Sequence, residues 1–388
     1  MSEDSGLDLD RAAELFEVSQ DFTVGLEEEF AIIDPDSLEL AHEFEAMKAA
    51  CDDDELLAVA AAGELIDTEI EIRSGKGQDF ADAASMQREH RERLFAVADG
   101  MRLGLASWGT HPWANYLDQQ IIDTEHCNRL RGELQWVALR NNTWSNHVHV
   151  GIRDADRAIA VCDHLREVLP PLLALSANSP FLDGHGTGLH STRTQIFTRM
   201  FPRCGIHEPF GSWREYCSFI EKLKAADAIV EATQLWWSVR PHHRFGTVEL
   251  RICDAQTDGA ESFALAGLIG ACIGQAALDY DEGALPEPLA GREIEENLWR
   301  AIRWGLDGEM IDWRGGGGLI ETRRVVERLR EWSSPAAAEM KAEVSVPERN
   351  GARRSIDALR DGAVIGDIYR DAVEETRRTY APELSGAV

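Results

Sequence analysis

The sequence predicts an α+β fold: a curved, mostly antiparallel sheet that forms a funnel-shaped active site, with helices on its outer face. Three observations predict it. Four short strands each combine an apolar face with a face of carboxylate, imidazole or guanidinium groups. Helical periodicities recur between them, and apolar segments run from Phe22 to about Leu329 with no internal repeat or low-complexity linker. The 388 residues are enough for one large domain. We therefore expect a catalytic domain over 21–332, a polar N-terminal segment over 1–20, and a C-terminal loop and helix over 333–388, both ends packing outside the core.

The first strand runs from Phe22 to Ile33. Alternation puts Phe22, Val24, Leu26, Phe30 and Ile32 on one face and Thr23, Gly25, Glu27 and Glu29 on the other. Two carboxylates two residues apart on a strand repel each other unless cations or partner side chains sit between them, and metal ligation satisfies that need. Glu28 falls on the apolar side, where it should meet an arginine or a helix end. In the second strand, Glu69–Arg73, Ile70 and Ile72 face the core while Glu69, Glu71 and Arg73 face the other way, and Glu64 precedes it by a turn. A helix is expected over Asp79–Gly100. The third strand, His147–Ile152, projects His147 and His149 together, and neutral imidazole is a ready metal ligand.

Further helices are expected over Ile159–Ser176, Ser212–Thr233, Ser262–Leu278 and Glu293–Gly305, and a last one near Ser355–Thr379. The fourth strand, Thr247–Cys253, sets Glu249 beside Arg251. The Gly315–Gly318 run lacks a following Lys and Ser or Thr, so it is no P-loop; a surface loop is expected, with an active-site lid as the alternative. Each strand pattern alone also fits an ordinary ion pair or a solvated edge. All four together describe one polar funnel, and its carboxylates with an imidazole suit Mg²⁺ or Mn²⁺.

Composition narrows the partners. With 69 acidic and 39 basic residues the net charge is −30, which disfavours nucleic acid and anionic membranes. Only five lysines are present, Lys48, Lys76, Lys222, Lys224 and Lys341. That balance suits a cytoplasm very rich in salt, where the Debye length falls to about 3 Å at 1 M, although an acidic protein from a GC-rich genome would show it too. The seven scattered cysteines show no CxxC spacing and read as reduced thiols. The acidic N-terminus has no secretory pattern, so a cytoplasmic protein is expected. The uncharged run from Ser262 to Leu278 reads as a buried core helix rather than a membrane span.

Taken together, the segments TVGLEEEFAIID at Thr23–Asp34 with the following DSLEL, ELIDTEIEIRSG at Glu64–Gly75 and GTHPWA at Gly109–Ala114 resemble glutamate–cysteine ligase family 2. So do NHVHVGI at Asn146–Ile152, LLALSANSPF, GHGTGLHSTRTQIFTR and TVELRICDAQTD at Thr247–Asp258. These are carboxylate–amine ligases of the glutamine-synthetase-like fold, and the acidic composition is similar to that of their haloarchaeal members. The resemblance implies ATP and Mg²⁺ or Mn²⁺ as cofactors, and glutamate and cysteine as substrates joined through γ-glutamyl phosphate. It also implies that Glu27 and Glu29 divide between two metal sites, that Glu64 and Glu71 complete one, and that His147 and Glu249 complete the other. His149 then resembles a phosphate-facing histidine. Arg251 and Arg193 resemble the guanidinium groups that hold a carboxylate or the transferred phosphoryl group, and Arg73 and Asn178 join His149 and Arg251 as nucleotide-binding positions. The family form of the second-strand motif ends in a Thr-rich turn where Arg-Ser-Gly stands here. A different amine, a metal-dependent amidohydrolase, and a non-catalytic metal- or nucleotide-binding protein remain alternatives. A homo-oligomer is compatible with all of them.

Overall fold

The computed structural model describes residues 7–385. Residues 1–6 of the expected polar segment lie outside the described residues. Its centre is a seven-stranded antiparallel sheet made of β1 (Val24–Ile33), β2 (Ala61–Ala62), β3 (Glu69–Arg73), β4 (Gly104–Ala106), β5 (Asn146–Gly151), β6 (Val239–His242) and β7 (Thr247–Leu250). The spatial order is β2-β3-β1-β5-β7-β6, with β4 beside the far end of β1. The α+β expectation with a largely antiparallel sheet is met.

Alternation explains how the sheet is sandwiched. Val24 and Leu26 of β1, Val148 and Val150 of β5, and Val248 and Leu250 of β7 enter one apolar cluster with the helices Ala155–Leu165 and Gly259–Asp281. Phe30, Ile32, Ile70 and Ile72 enter a second with Leu94 and Phe95 of the Phe80–Gly100 helix. The opposite face is left for the polar side chains. Glu28 behaves as its position on the apolar side requires: Arg91 Nε donates to its Oε2 at 2.6 Å, and Ser262, in the first turn of the Gly259–Asp281 helix, donates to Oε1 at 2.5 Å. That helix is long and apolar enough to cross a membrane, but 78% of its most apolar stretch is buried inside the molecule, as expected of a core helix.

Several expected elements differ in extent. The Ile159–Ser176 pattern is two helices, Ala155–Leu165 and Leu169–Ser176, because Pro170 and Pro171 have no N–H to donate to the carbonyls a turn before them, so they sit in the first turn of a new helix. The Ser212–Thr233 pattern ends as a helix at Ala225, with Asp227 at φ 52°. The last helix is also two, Gly351–Arg360 and Ile365–Tyr380, parted at Gly362 with φ 104°. Gly315–Gly318 lies on the surface as expected, where it closes a hairpin between Glu309–Asp312 and Gly318–Glu321. The ends are part of the core, contrary to expectation. Phe16 is fully buried in the first cluster, and Tyr380 meets the Phe30 ring edge-on at 5.3 Å while its hydroxyl donates to Gln256 O.

Candidate active site

Register carries the polar residues into rows. Across the sheet, Arg73 pairs with Glu27, which pairs with His147; Glu71 pairs with Glu29; and His149 pairs with Glu249, which pairs with Arg240. Because each strand alternates and these pairs are in register, all of these side chains emerge on one face.

At the centre, His147 Nδ1 lies 3.0 Å from Glu27 Oε2 and its Nε2 3.6 Å from Glu29 Oε1. Ser145, two residues before His147, donates its hydroxyl to Glu29 Oε2 at 2.7 Å. His149 Nε2 is 3.3 Å from Glu27 Oε1 and 3.8 Å from Glu249 Oε1. Arg240 donates twice to Glu249, at 2.6 and 3.2 Å, and Arg251 donates to the same carboxylate while lying 3.4 Å from His147 Nδ1.

Electrostatics divides the cluster. Burial alone would raise Glu27, but His149 and His147 outweigh it and hold the carboxyl well below its ordinary range. Glu249 is buried as deeply, and Arg240 and Arg251 hold it well below as well. Burial, with Arg251 alongside, pushes His147 down to about 3, so it is neutral at physiological pH. On the other side, burial and Glu64 push Glu29 up to about 7, while burial raises Glu71 and Glu69 despite Arg73 near the former.

There are two sets of three donors, Glu27 with His147 and Glu249, and Glu29 with Glu71 and His147, and within each the ligand atoms lie within 4.8 Å of one another. The buried atoms Glu69 Oε2 and Glu71 Oε2 have no hydrogen-bond partner among the described residues. Carboxylate and imidazole donors with unsatisfied buried atoms fit hard divalent cations, and no thiolate competes.

Two clefts meet over this cluster. One, of about 350 Å³, has Glu27, Glu64, Arg73, Glu249 and Arg251 on its floor and an apolar wall that includes Phe44, Ile122, Leu130 and Trp236. The other, of about 400 Å³, lies over Gly25 between Leu15, Val18 and Phe245. Glu27, Arg73, His149, Arg244 and Phe245 border both.

A family profile, that of glutamate–cysteine ligase family 2, matches residues 23–371. The chain belongs to glutamate–cysteine ligase family 2. It is 35% identical over 360 residues to a protein provisionally named glutamate–cysteine ligase 2-2 in Rubrobacter xylanophilus, covering 92% of this chain and 91% of that one. It is 39% identical over 318 residues to one provisionally named glutamate–cysteine ligase 2 in Sorangium cellulosum, covering 81% and 84%. The fold is shared with the crystal structure of a Francisella tularensis glutamate–cysteine ligase in complex with AMP, with a TM-score of 0.64 at 12% identity over 93% of this chain and 90% of that one. None of these comparisons supports the expected closeness to haloarchaeal ligases.

Within this family member the residues expected at the site separate into two groups. Glu27, Glu29, Glu71, His147, His149, Glu249, Arg251 and Arg73 converge, with Glu64 at the rim, 3.7 Å from Arg73. Asn178 does not join them. Its amide donates to Ala255 O at 2.8 Å and Thr257 Oγ1 at 3.1 Å, inside the body behind β7, because a buried amide must satisfy its donors. Arg193 is close but committed: it donates to the carbonyls of Ile252 and Arg251 at 3.0 and 3.2 Å, so it fixes the chain after β7. Sequence reasoning missed Ser145 and Arg240. Extending the alternation of β5 by one step would have found Ser145, whereas Pro241 hid the β6 strand, which Pro tolerates only as an edge.

Proposed function

We propose that this family member joins the γ-carboxylate of L-glutamate to the amine of L-cysteine at the expense of ATP, giving γ-glutamylcysteine, ADP and phosphate through γ-glutamyl phosphate. The observation that carries this reading is the pair of carboxylate–histidine donor sets beneath two clefts that meet at Glu27, Arg73 and His149. Family membership and the names of its relatives support it.

A carboxylate is a poor electrophile until phosphorylated. Glu27, His147 and Glu249 would hold one Mg²⁺ or Mn²⁺, and Glu29 and Glu71, with the shared His147 and, at the rim, Glu64, the other; such ions would neutralise phosphate oxygens. The apolar cleft over Gly25 suits a purine, with Phe245 beside it, and the acidic cleft suits the two amino acids. His149 and Arg251 face the place where phosphate charge would develop, fixed in advance by Glu27 and Glu249, so little reorganisation is needed. Arg193 contributes by positioning Arg251. The buried walls exclude water that would hydrolyse an acyl phosphate.

Thiol recognition is shallow chemistry, since one sulfur- or methyl-sized group in a pocket is worth only about 1–3 kcal/mol. Discrimination for cysteine should be incomplete, with 2-aminobutyrate the best substitute. A second reading, another amine, is favoured by the apolar wall of Phe44, Ile122, Leu130 and Trp236. Mass spectrometry of products from ATP, metal, glutamate and a panel of amines decides between them. γ-Glutamylcysteine as the main product supports the cysteine reading; equal turnover with ammonia sinks it and leaves the amide ligase standing. A hydrolase would consume no ATP. The seven free thiols fit a cytoplasmic setting.

A further inference from the structure

Glu27, Glu64 and Glu71 share one partner whose role the reaction above leaves open. Arg73 Nε lies 2.5 Å from Glu71 Oε1 and 3.7 Å from Glu27 Oε1, and its Nη2 lies 3.7 Å from Glu64 Oε1. Glu27 belongs to one three-donor set and Glu71 to the other, so this single guanidinium spans both. Three other arginines around the funnel, Arg193, Arg240 and Arg251, are anchored. Arg193 is held by two carbonyls, Arg240 donates to Leu235 O as well as Glu249, and the Arg251 side chain is only 14% exposed against Glu249. The Arg73 side chain is 43% exposed, its ion-pair partners are those three carboxylates, and it borders both clefts.

A guanidinium and a divalent cation brought to the same carboxylates repel each other. They are like charges competing for one set of acceptors, and the doubly charged ion satisfies the set better. The exposed flank of Arg73 gives it somewhere to go. We propose that Arg73 is an internal counter-ion that orders Glu27, Glu64 and Glu71 before a divalent cation arrives, is displaced by that cation, and then turns its guanidinium into the shared mouth of the clefts to bind nucleotide phosphate. This rests on the cation sites assigned above. It makes Arg73 an opponent of metal binding and a supporter of nucleotide binding, two effects that a purely structural residue would not separate.

The test is Mn²⁺ binding followed by electron paramagnetic resonance on the folded full chain, repeated with a non-hydrolysable ATP analogue, for the wild type, Arg73→Met and Arg73→Lys. Losing one charge-assisted contact set should tighten Mn²⁺ in Arg73→Met by roughly tenfold and weaken the Mn²⁺–nucleotide complex by roughly tenfold, with Arg73→Lys near the wild type. Unchanged or weaker Mn²⁺ binding in Arg73→Met, with wild-type circular dichroism, overturns the proposal and leaves the cation sites intact. No Mn²⁺ binding in either protein overturns both. If Arg73→Met does not fold, the wild type alone decides: the Arg73 ¹⁵Nε resonance, identified by its loss in Arg73→Lys, must move on adding Mg²⁺ without nucleotide. A resonance that stays still contradicts displacement.

Discussion

Glu249 is gripped from two sides, by Arg240 along its own hairpin and by Arg251 two residues on, and this decides which substitution is informative. Removing Glu249 leaves two buried guanidiniums uncompensated, a loss of about 3–5 kcal/mol that mixes folding with function. Arg251→Ala leaves Glu249 with Arg240, so the fold should survive while kcat falls by about 10²–10³. Phosphate release with glutamate and cysteine measures it; retained activity would remove Arg251 from the phosphoryl site. A second residue-scale prediction concerns Glu231, away from the cation ligands. Burial would raise its carboxyl, but hydrogen bonds from His126 and Arg129 hold it down to about 2. A depressed carboxyl stabilises the fold above its unfolded value near 4.3, and that stability is lost as pH falls through the folded value. Glu231→Gln should therefore cost on the order of 1–2 kcal/mol at pH 7, discounted because His126 and Arg129 are partly exposed, with the difference shrinking between about pH 5 and pH 2. Urea melts across that range test it. Single residues were legible where a face rule applied. Glu28, on the wrong side of its strand, was predicted to find an arginine or a helix end and finds both Arg91 and the start of the Gly259–Asp281 helix. Asn178 was not legible, because a motif says nothing about which way a buried amide turns.

At the scale of elements, alternation in β1, β3, β5 and β7 was readable because a period of two, once in register, fixes a whole face. Helix lengths were less so: two proline residues and single positive-φ positions break long periodic runs without disturbing their apolar pattern. The ends were misread for a related reason. Residues 9–17 and 365–380 are polar on average but amphipathic; the first inserts Phe16 and the second Tyr369 and Tyr380 into clusters formed with distant strands. Tyr380→Ala should cost about 3–5 kcal/mol, since it removes a fully buried ring packed on Phe30 and Phe95. A thermal melt is the measurement. A shift no larger than that of an exposed tyrosine would mean the C-terminal helix is not part of the core.

For the whole molecule, the balance of −30 implies strong self-repulsion that molar salt screens. We propose that activity and folding rise with salt up to molar concentration; full activity after dialysis into dilute buffer would count against that and leave the chemistry untouched. The central claim is that one funnel activates a carboxylate with ATP. It can be tested by following oxygen. Glutamate labelled with ¹⁸O in its γ-carboxylate, incubated with ATP, Mg²⁺ and cysteine, should release inorganic phosphate carrying one ¹⁸O per amide formed, because the carboxylate oxygen that attacks the γ-phosphorus leaves with it. Amide formation without ATP, or phosphate free of label, would contradict the account.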